Sequence, residues 1–170
     1  KKKIIISNGS LLIKKKYKKP KIFKSSNINF VYFGRLNKIK NLEFQIKIIS
    51  YLSRYKKNIK LFIIGPDDGE KKKLQNRVNN LKCNKNIHFM KPIYGKKKLE
   101  YLKNADFFFL TSWYECNSNF AAEVFSSGGC LLTLKSCNLN YCLYTYQSIT
   151  IVNILTKVGV LKSSKKFFPT

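Results

Sequence analysis

The sequence is poor in the residues from which metal sites are built. It contains eight acidic residues and a single histidine, His88, and its five cysteines form no C-x-x-C pair. Zinc sites need cysteine and histidine ligands at close, regular spacing. We therefore predict no metal site and no other bound cofactor.

Long apolar runs and paired cysteines are also missing. No stretch approaches the ~18 apolar residues that a membrane-spanning helix needs. The apolar run at residues 4–6 consists of three isoleucines, which is too short for the core of a signal peptide. An odd number of scattered cysteines fits a reducing compartment. We therefore expect a cytoplasmic location, which leaves room for peripheral contact with a membrane surface.

Arginine is scarce, although the chain is strongly basic. The formal net charge is +26, but three of the 34 basic residues are arginine, and the lysines are spread along the whole chain. Proteins that read nucleic acids favour arginine for bidentate contacts with bases and phosphates. The pattern therefore favours a charged surface without a specific nucleic-acid partner. A protein that binds nucleic acid or a membrane surface through its charge alone remains an alternative.

The chain of 170 residues is long enough for one domain. Residues 1–27 contain one short apolar run, a turn at Asn8-Gly9 and a lysine-rich stretch, which is typical of a linker or hinge. From residue 28 to about 155, short apolar runs alternate with helical periodicity, and residues 156–170 form a basic tail. Such alternation is typical of βαβ units. It predicts an α/β fold, namely a doubly wound parallel sheet of the Rossmann-like kind.

The periodicity also locates the elements. Strands are predicted over residues 29–33, 59–64, 86–90, 107–110 and 130–134, with a weaker one at 149–154. Helical spacing follows Leu42, Leu74 and Leu99, and a fourth helix is predicted at residues 121–127. Asn41 is the predicted cap of the first helix, and Asp67 or Asp68 that of the second.

A group of cations follows the first predicted strand. Gly34 lets the chain turn sharply, Arg35 can bind a phosphate bidentately, and Lys40 adds a charge close to a helix start. These residues form a candidate diphosphate clamp. The alternative is that they are two more cations on a lysine-rich surface. Neither a P-loop motif nor G-x-G-x-x-G occurs in the sequence.

A second candidate site follows the fourth predicted strand, where the sequence reads TSWYECNSNFAAE. Glu115 and Glu123 lie on either side of the turn into the next helix. Between them are three residues that favour helix N-termini, whose amides can face an anion: Asn117, Ser118 and Asn119. The alternative is that Glu115 is an ordinary loop residue and that Glu123 only interacts favourably with the helix dipole.

Both segments resemble motifs of the large glycosyltransferase family that includes sucrose synthases, glycogen synthases and bacterial mannosyltransferases. FGRLNKIKN resembles its GRL…KG signature, and IIGPDDG resembles its glycine turn after the second strand. NADFFFLTSWYECNSNFAAEVFSSGGCLL resembles its ADvfvlPS…EGFG…EAMAxGxPVv region. The resemblance runs from Asn8 to about Leu143. It marks the chain as similar to the C-terminal, donor-binding domain of a retaining GT-B glycosyltransferase of group 1.

The resemblance implies roles for the candidate residues. Arg35 and Lys40 would bind the diphosphate of a nucleotide-sugar donor and stabilise the leaving group, and Glu115 would contact the sugar hydroxyls. Glu123 would hold the ribose, and residues 91–93 would lie near the base. The catalytic set would be Arg35, Lys40 and Glu115, and the donor-binding set would add Asn117, Ser118, Asn119 and Glu123. Metal-independent hexosyl transfer with retention of configuration is implied as well.

The chain departs from the family pattern in several places. Asn41 and Cys130 replace a glycine and a proline, and Cys116, Asn117 and Ser118 replace the last three residues of EGFG. The family places an acceptor-binding domain before the matched region, so we expect such a domain in cis or in trans and interpret the chain as a fragment. The acceptor can be a glycan, a lipid or a protein. A non-catalytic or split-subunit nucleotide-sugar-binding domain is the alternative.

Overall fold

The computed structural model describes residues 15–115, 118–134 and 137. In this part of the chain, five parallel strands form one sheet in the order β3-β2-β1-β4-β5. The strands are β1 (Ile28–Phe33), β2 (Ile59–Ile64), β3 (Ile87–Met90), β4 (Phe107–Leu110) and β5 (Leu131–Thr133). The helices are α1 (Leu42–Tyr55), α2 (Lys71–Asn80), α3 (Gly95–Asn104) and α4 (Asn119–Ser126), and a 3₁₀ turn covers Lys38–Lys40.

The predicted doubly wound, Rossmann-like sheet is confirmed. β2 and β4 have the predicted bounds, and the other strands agree to within one residue at each end. Helices α2 and α3 both begin in lysine-rich turns, before the first leucine of their helical spacing. The predicted strand at 149–154 and the tail at 156–170 lie outside the described residues, so the division into 1–27, 28–155 and 156–170 remains a prediction.

Apolar residues cover both faces of the sheet. Helices α1 and α2 pack on one face and α3 and α4 on the other, and each face has its own buried cluster. β4 is therefore apolar without alternation, because both of its faces are covered. Phe23, from the predicted linker, is also buried, and it packs against Phe62 and Tyr101 at ring distances of 5.0 Å.

The strand order creates a crevice at the carboxyl edge of the sheet. The chain leaves β1 through α1 toward β2, whereas it leaves β4 through α4 toward β5 on the other side. The two connections diverge between β1 and β4, and ligands of doubly wound sheets bind at such a switch point. The segments that carry the predicted site residues, 34–41 and 111–119, both begin at this point.

The ends of β1 and β2 approach each other more closely than side chains allow. A Cβ atom on Gly65 would lie 1.8 Å from the carbonyl oxygen of Gly34. Beyond this contact the two exits pair by backbone hydrogen bonds, from the amide of Leu36 to the oxygen of Pro66 and from that of Asp68 to the oxygen of Leu36. Glycine at residue 65 thus lets the loop that carries Arg35 lie against the loop after β2.

We expect Gly65→Ala to lower the free energy of unfolding by about 1–3 kcal/mol, because the added methyl group must push backbone aside. Urea denaturation measures this change. Gly69→Ala is the control. Its added methyl group would have no atom within 4 Å, so the cost of this substitution comes from the backbone strain of a φ of +88°. The free energy of unfolding should fall less for Gly69→Ala than for Gly65→Ala. If Gly65→Ala is as stable as the wild type, the close contact is contradicted.

Candidate functional site

The loop after β1 is shaped by two asparagines. The Asn37 side chain accepts a hydrogen bond from the amide of Lys40 at 3.3 Å, which caps the 3₁₀ turn. Asn41 then adopts a left-handed conformation, with φ 50° and ψ 45°, and α1 begins at the next residue. Asparagine tolerates this conformation better than most residues other than glycine. Asn41 can therefore replace the family's glycine, although its side chain makes no capping hydrogen bond to α1.

Buried hydrogen bonds fasten this loop to the end of β4. The Thr111 hydroxyl lies 3.2 Å from the carbonyl oxygen of Lys40 and 3.3 Å from that of Asn41. Gln45 donates to the same hydroxyl oxygen at 2.8 Å, and Gln45 and Thr111 are fully buried. The amide of Trp113 donates to the oxygen of Ile39 at 2.9 Å. The backbone of Lys40 is thus held against the exit of β4.

The side chains of Lys40 and Glu115 meet across the switch point. Lys40 Nζ lies 2.5 Å from Glu115 Oε1, and the side chains are 23% and 13% exposed. Ser112 donates to the same carboxylate oxygen at 2.7 Å. The predicted cation and the predicted carboxylate are therefore brought together. Ser112 belongs to the quoted TSWYEC segment but was not among the predicted site residues, because its uncharged hydroxyl did not distinguish it from its neighbours.

Tyr32 holds the loop after β1 by a hydrogen bond. Its hydroxyl donates to the carbonyl oxygen of Arg35 at 3.0 Å. Burial, with a smaller contribution from the negative charge of Glu115, raises the pKa of Tyr32 above its usual range, so the phenol stays protonated and remains a donor. Sequence reasoning missed this residue because it lies in an apolar strand.

Arg35 lies at the outer side of the same loop. Its guanidinium is 4.0 Å from the carboxylate of Asp68, and the two side chains are 70% and 49% exposed. Exposed pairs of this kind contribute little, about 0–1 kcal/mol, so an anionic ligand can replace Asp68 at small cost. The N-cap of α2 is Glu70, so the prediction of Asp67 or Asp68 as its cap is wrong in position. Asp67 nevertheless accepts a hydrogen bond from the amide of Lys71, the first residue of the helix, at 3.0 Å.

Helix α4 begins at the same edge. Ser118 is its N-cap and accepts a hydrogen bond from the amide of Ala121 at 3.3 Å, and Asn119 is the exposed first residue. Asn117, like Cys116, lies outside the described residues. The predicted N-terminus of a helix beside Glu115 is thus present, and its first amides are suited to an anion.

Glu123 lies one turn into α4 and is held by a lysine from another helix. Lys98 Nζ, in the first turn of α3, lies 2.7 and 2.6 Å from the two carboxylate oxygens of Glu123. The ammonium is also 5.5 Å from the ring centre of Phe33, at the end of β1. Lys98 was missed because it is one of three consecutive lysines. Residues 91–93, the predicted base-binding region, connect β3 to α3 at this same edge.

The described residues form neither a metal-binding cluster nor a helix that could span a membrane. Within the described ranges, no three His, Cys, Asp or Glu side chains are grouped to hold a metal ion. His88 instead stacks on Phe62 at 5.2 Å, and burial lowers its pKa. No helix in the described part of the chain is long and apolar enough to cross a bilayer.

The sequence matches a family described as glycosyl transferases group 1 over residues 3–142. No curated protein matches the chain significantly. Among solved structures, the glycosyltransferase WaaG, involved in lipopolysaccharide biosynthesis, is similar with a TM-score of 0.67 and 18% identity. The similarity covers 81% of this chain and 39% of WaaG.

Two further structures share the fold. The C-terminal domain of the glycosyl transferase group 1 protein LpcC from Francisella tularensis has a TM-score of 0.62 and 18% identity, over 77% of this chain and 73% of that one. Anabaena HepE, solved with UDP and glucose, has a TM-score of 0.64 and 15% identity, over 78% of this chain and 39% of HepE. The chain thus spans about two-fifths of WaaG and HepE, and the expected resemblance to a C-terminal domain is confirmed.

The hydrogen bonds of Thr111 can be tested by removing the hydroxyl alone. We expect Thr111→Val to lower the free energy of unfolding by about 1–3 kcal/mol, because Gln45 loses a buried acceptor. Thr111→Ser should retain most of the stability, as measured by urea denaturation. Thr133→Val serves as the control, since among the described residues that hydroxyl makes a local bond to the oxygen of Leu134. A Thr111→Val variant no less stable than Thr133→Val would contradict the fastening role.

Proposed function

We propose that this chain, which belongs to the glycosyl transferases group 1 family, binds a nucleotide-diphosphate sugar as the donor half of a glycosyltransferase. The observation that carries the proposal is the meeting of Lys40 and Glu115 at the switch point, with Arg35 on the same loop. A cation for a diphosphate and a carboxylate for sugar hydroxyls are thereby close enough to contact one ligand. The UDP and glucose in the HepE structure are consistent with such a donor.

The cations would bind the diphosphate by exchanging partners. Lys40 is paired with Glu115, and Arg35 is loosely paired with Asp68. A diphosphate carries more charge than either carboxylate, so it competes well for both cations. Arg35 can contact two phosphate oxygens at once, whereas Lys40 offers a single ammonium.

Glu115 would receive the sugar. When Lys40 turns to the diphosphate, Glu115 Oε1 keeps the hydrogen bond from Ser112 and gains room for a hydroxyl donor. The carboxylate therefore stays oriented while it changes partners. Because Glu115 lies after β4, opposite the cations after β1, a sugar that contacts it would lie beside the diphosphate to which that sugar is bonded.

The start of α4 would complete the donor site. The amides of Ser118 and Asn119, with that of Asn117, would face the diphosphate or the sugar, and the helix dipole adds to their attraction for an anion. Glu123 would accept hydrogen bonds from the ribose, and residues 91–93 would contact the base.

The same groups would serve the reaction. As the glycosidic bond to the diphosphate breaks, negative charge grows on the leaving oxygens, and Lys40, Arg35 and the α4 amides stabilise that charge without a metal ion. Glu115, next to the sugar, favours the positive charge of an oxocarbenium-like transition state. Retention of configuration and a hexosyl donor form part of this proposal.

A second domain would bind the acceptor. We propose that an acceptor-binding domain faces the carboxyl edge of this sheet, in cis or in trans, and that the complete enzyme works in the cytoplasm with peripheral membrane contact. If the chain is instead a binding subunit without its own chemistry, donor binding is unchanged and turnover by the isolated chain is absent.

Titration with nucleotides tests the donor site. UDP, GDP and ADP, and the sugar conjugates of the tightest of them, should bind the wild-type chain in isothermal titration calorimetry. Lys40→Ala and Arg35→Ala should each weaken binding about tenfold or more, because each removes a charge-assisted contact with the diphosphate. Glu115→Gln should affect the nucleotide sugar more than the nucleotide, since only the former carries the hydroxyls that Glu115 accepts.

Lys57→Ala is the matched control, because this exposed lysine lies at the amino edge of the sheet, before β2. It removes the same charge and should leave the affinity unchanged. If Lys57→Ala weakens binding as much as Lys40→Ala, and the loss follows salt concentration, the basic surface rather than the site is responsible. Absence of binding by any nucleotide at millimolar concentration would refute the proposal.

A further inference from the structure

Lys98 occupies an unfavourable place for a cation. It lies in the first turn of α3, where the exposed amides and the helix dipole disfavour positive charge. The carboxylate of Glu123 compensates this charge and contacts Lys98 Nζ with both oxygens, at 2.7 and 2.6 Å. The side chains are 24% and 34% exposed. The pair therefore links α3 to α4 at the carboxyl edge of the sheet.

The ring of Phe33 fixes where this pair lies. Lys98 Nζ is 5.5 Å from the ring centre, and Phe33 is the last residue of β1, two residues before Arg35. The pair is thus next to the switch point, on the side of the sheet that α3 and α4 cover. A ligand bound across β1 and the start of α4 would meet it.

We propose that Lys98 is a positioning residue for Glu123 that prepares this carboxylate to receive the hydroxyls of a ribonucleotide. The inference rests on the proposed function, since it concerns the nucleotide end of the same donor site. An ionised carboxylate has about four acceptor positions. Lys98 uses one on each oxygen, which restrains rotation of the carboxylate and leaves acceptor capacity for hydroxyl donors.

The charge of Lys98 acts in the same direction. An uncompensated Glu123 would repel the diphosphate of an approaching nucleotide, whereas the Lys98–Glu123 pair has no net charge. Removal of Lys98 should therefore weaken nucleotide binding for two reasons. The Glu123 carboxylate would be less well oriented, and its negative charge would repel the phosphates. Sequence spacing gives no hint of this role, because Lys98 and Glu123 come from different helices.

The test uses UDP, GDP and ADP and the 2′-deoxy form of whichever binds most tightly. We expect Lys98→Met to weaken binding of the ribonucleotide about tenfold and to reduce its preference over the 2′-deoxy form toward equality. Lys98→Arg should restore most of both. Lys103→Met is the matched control, because Lys103 lies on the same helix, binds the carbonyl oxygen of Ser127 near the end of α4 and carries the same charge.

Several outcomes would overturn the inference. Wild-type affinity and wild-type preference in Lys98→Met would show that Lys98 does not orient Glu123, and tighter binding would show that it competes with the ribose. An equal loss in Lys103→Met would assign the effect to net charge or helix packing. If Lys98→Met does not fold, Lys98→Gln replaces it, and the inference requires that this variant show the same loss of affinity and of ribose preference.

Failure of this inference is distinguishable from failure of the proposed function. If Arg35→Ala and Lys40→Ala weaken nucleotide binding while Lys98→Met does not, the donor site stands and only the role of Lys98 is refuted. If no nucleotide binds the wild-type chain, the proposed function fails and the role of Lys98 fails with it.

Discussion

The hydroxyl of Thr111 connects the two segments from which the candidate site is assembled. The segments are 75 residues apart at Lys40 and Glu115, where the first is a 3₁₀ turn and the second a loop. Thr111, held by Gln45, fixes the backbone of the first segment to the exit of β4, and Trp113 adds a backbone bond to the same loop. A fastening built from buried hydrogen bonds is directional, so it sets the angle of the loop as well as its distance.

A second constraint is electrostatic. The chain has eight acidic residues against 34 basic ones. At the carboxyl edge of the sheet, Glu115 and Glu123 form ion pairs that are less exposed than the pair of Asp68. Each pair joins elements that are distant in sequence, the β1 loop to the β4 loop and α3 to α4. Each of these two carboxylates thus holds a lysine at this edge, Lys40 and Lys98 respectively.

Much of this fold follows from apolar patterning. β2 and β4 are buried on both faces, so their continuous apolar runs identify them directly, and the glycines and asparagines after the strands mark the turns. The site was predicted only in part. Arg35, Lys40, Glu115 and Glu123 are charged residues inside motifs. Ser112 lies in a motif but carries no charge to mark it, and Tyr32 and Lys98 lie outside the motifs. Their partners are brought to them by tertiary packing, which short-range spacing in a sequence does not encode.

The contact between Lys40 and Glu115 also bears on which anions can use the site inside a cell. A simple phosphate ion that drew Lys40 away would leave Glu115 without its cation in a largely buried position, 13% exposed, and would offer nothing in return. A molecule that presents phosphate to the lysine and hydroxyl groups to the carboxylate satisfies both at once. In the proposed donor site, this pairing would favour a ligand with both chemical features over small phosphates that lack the hydroxyls.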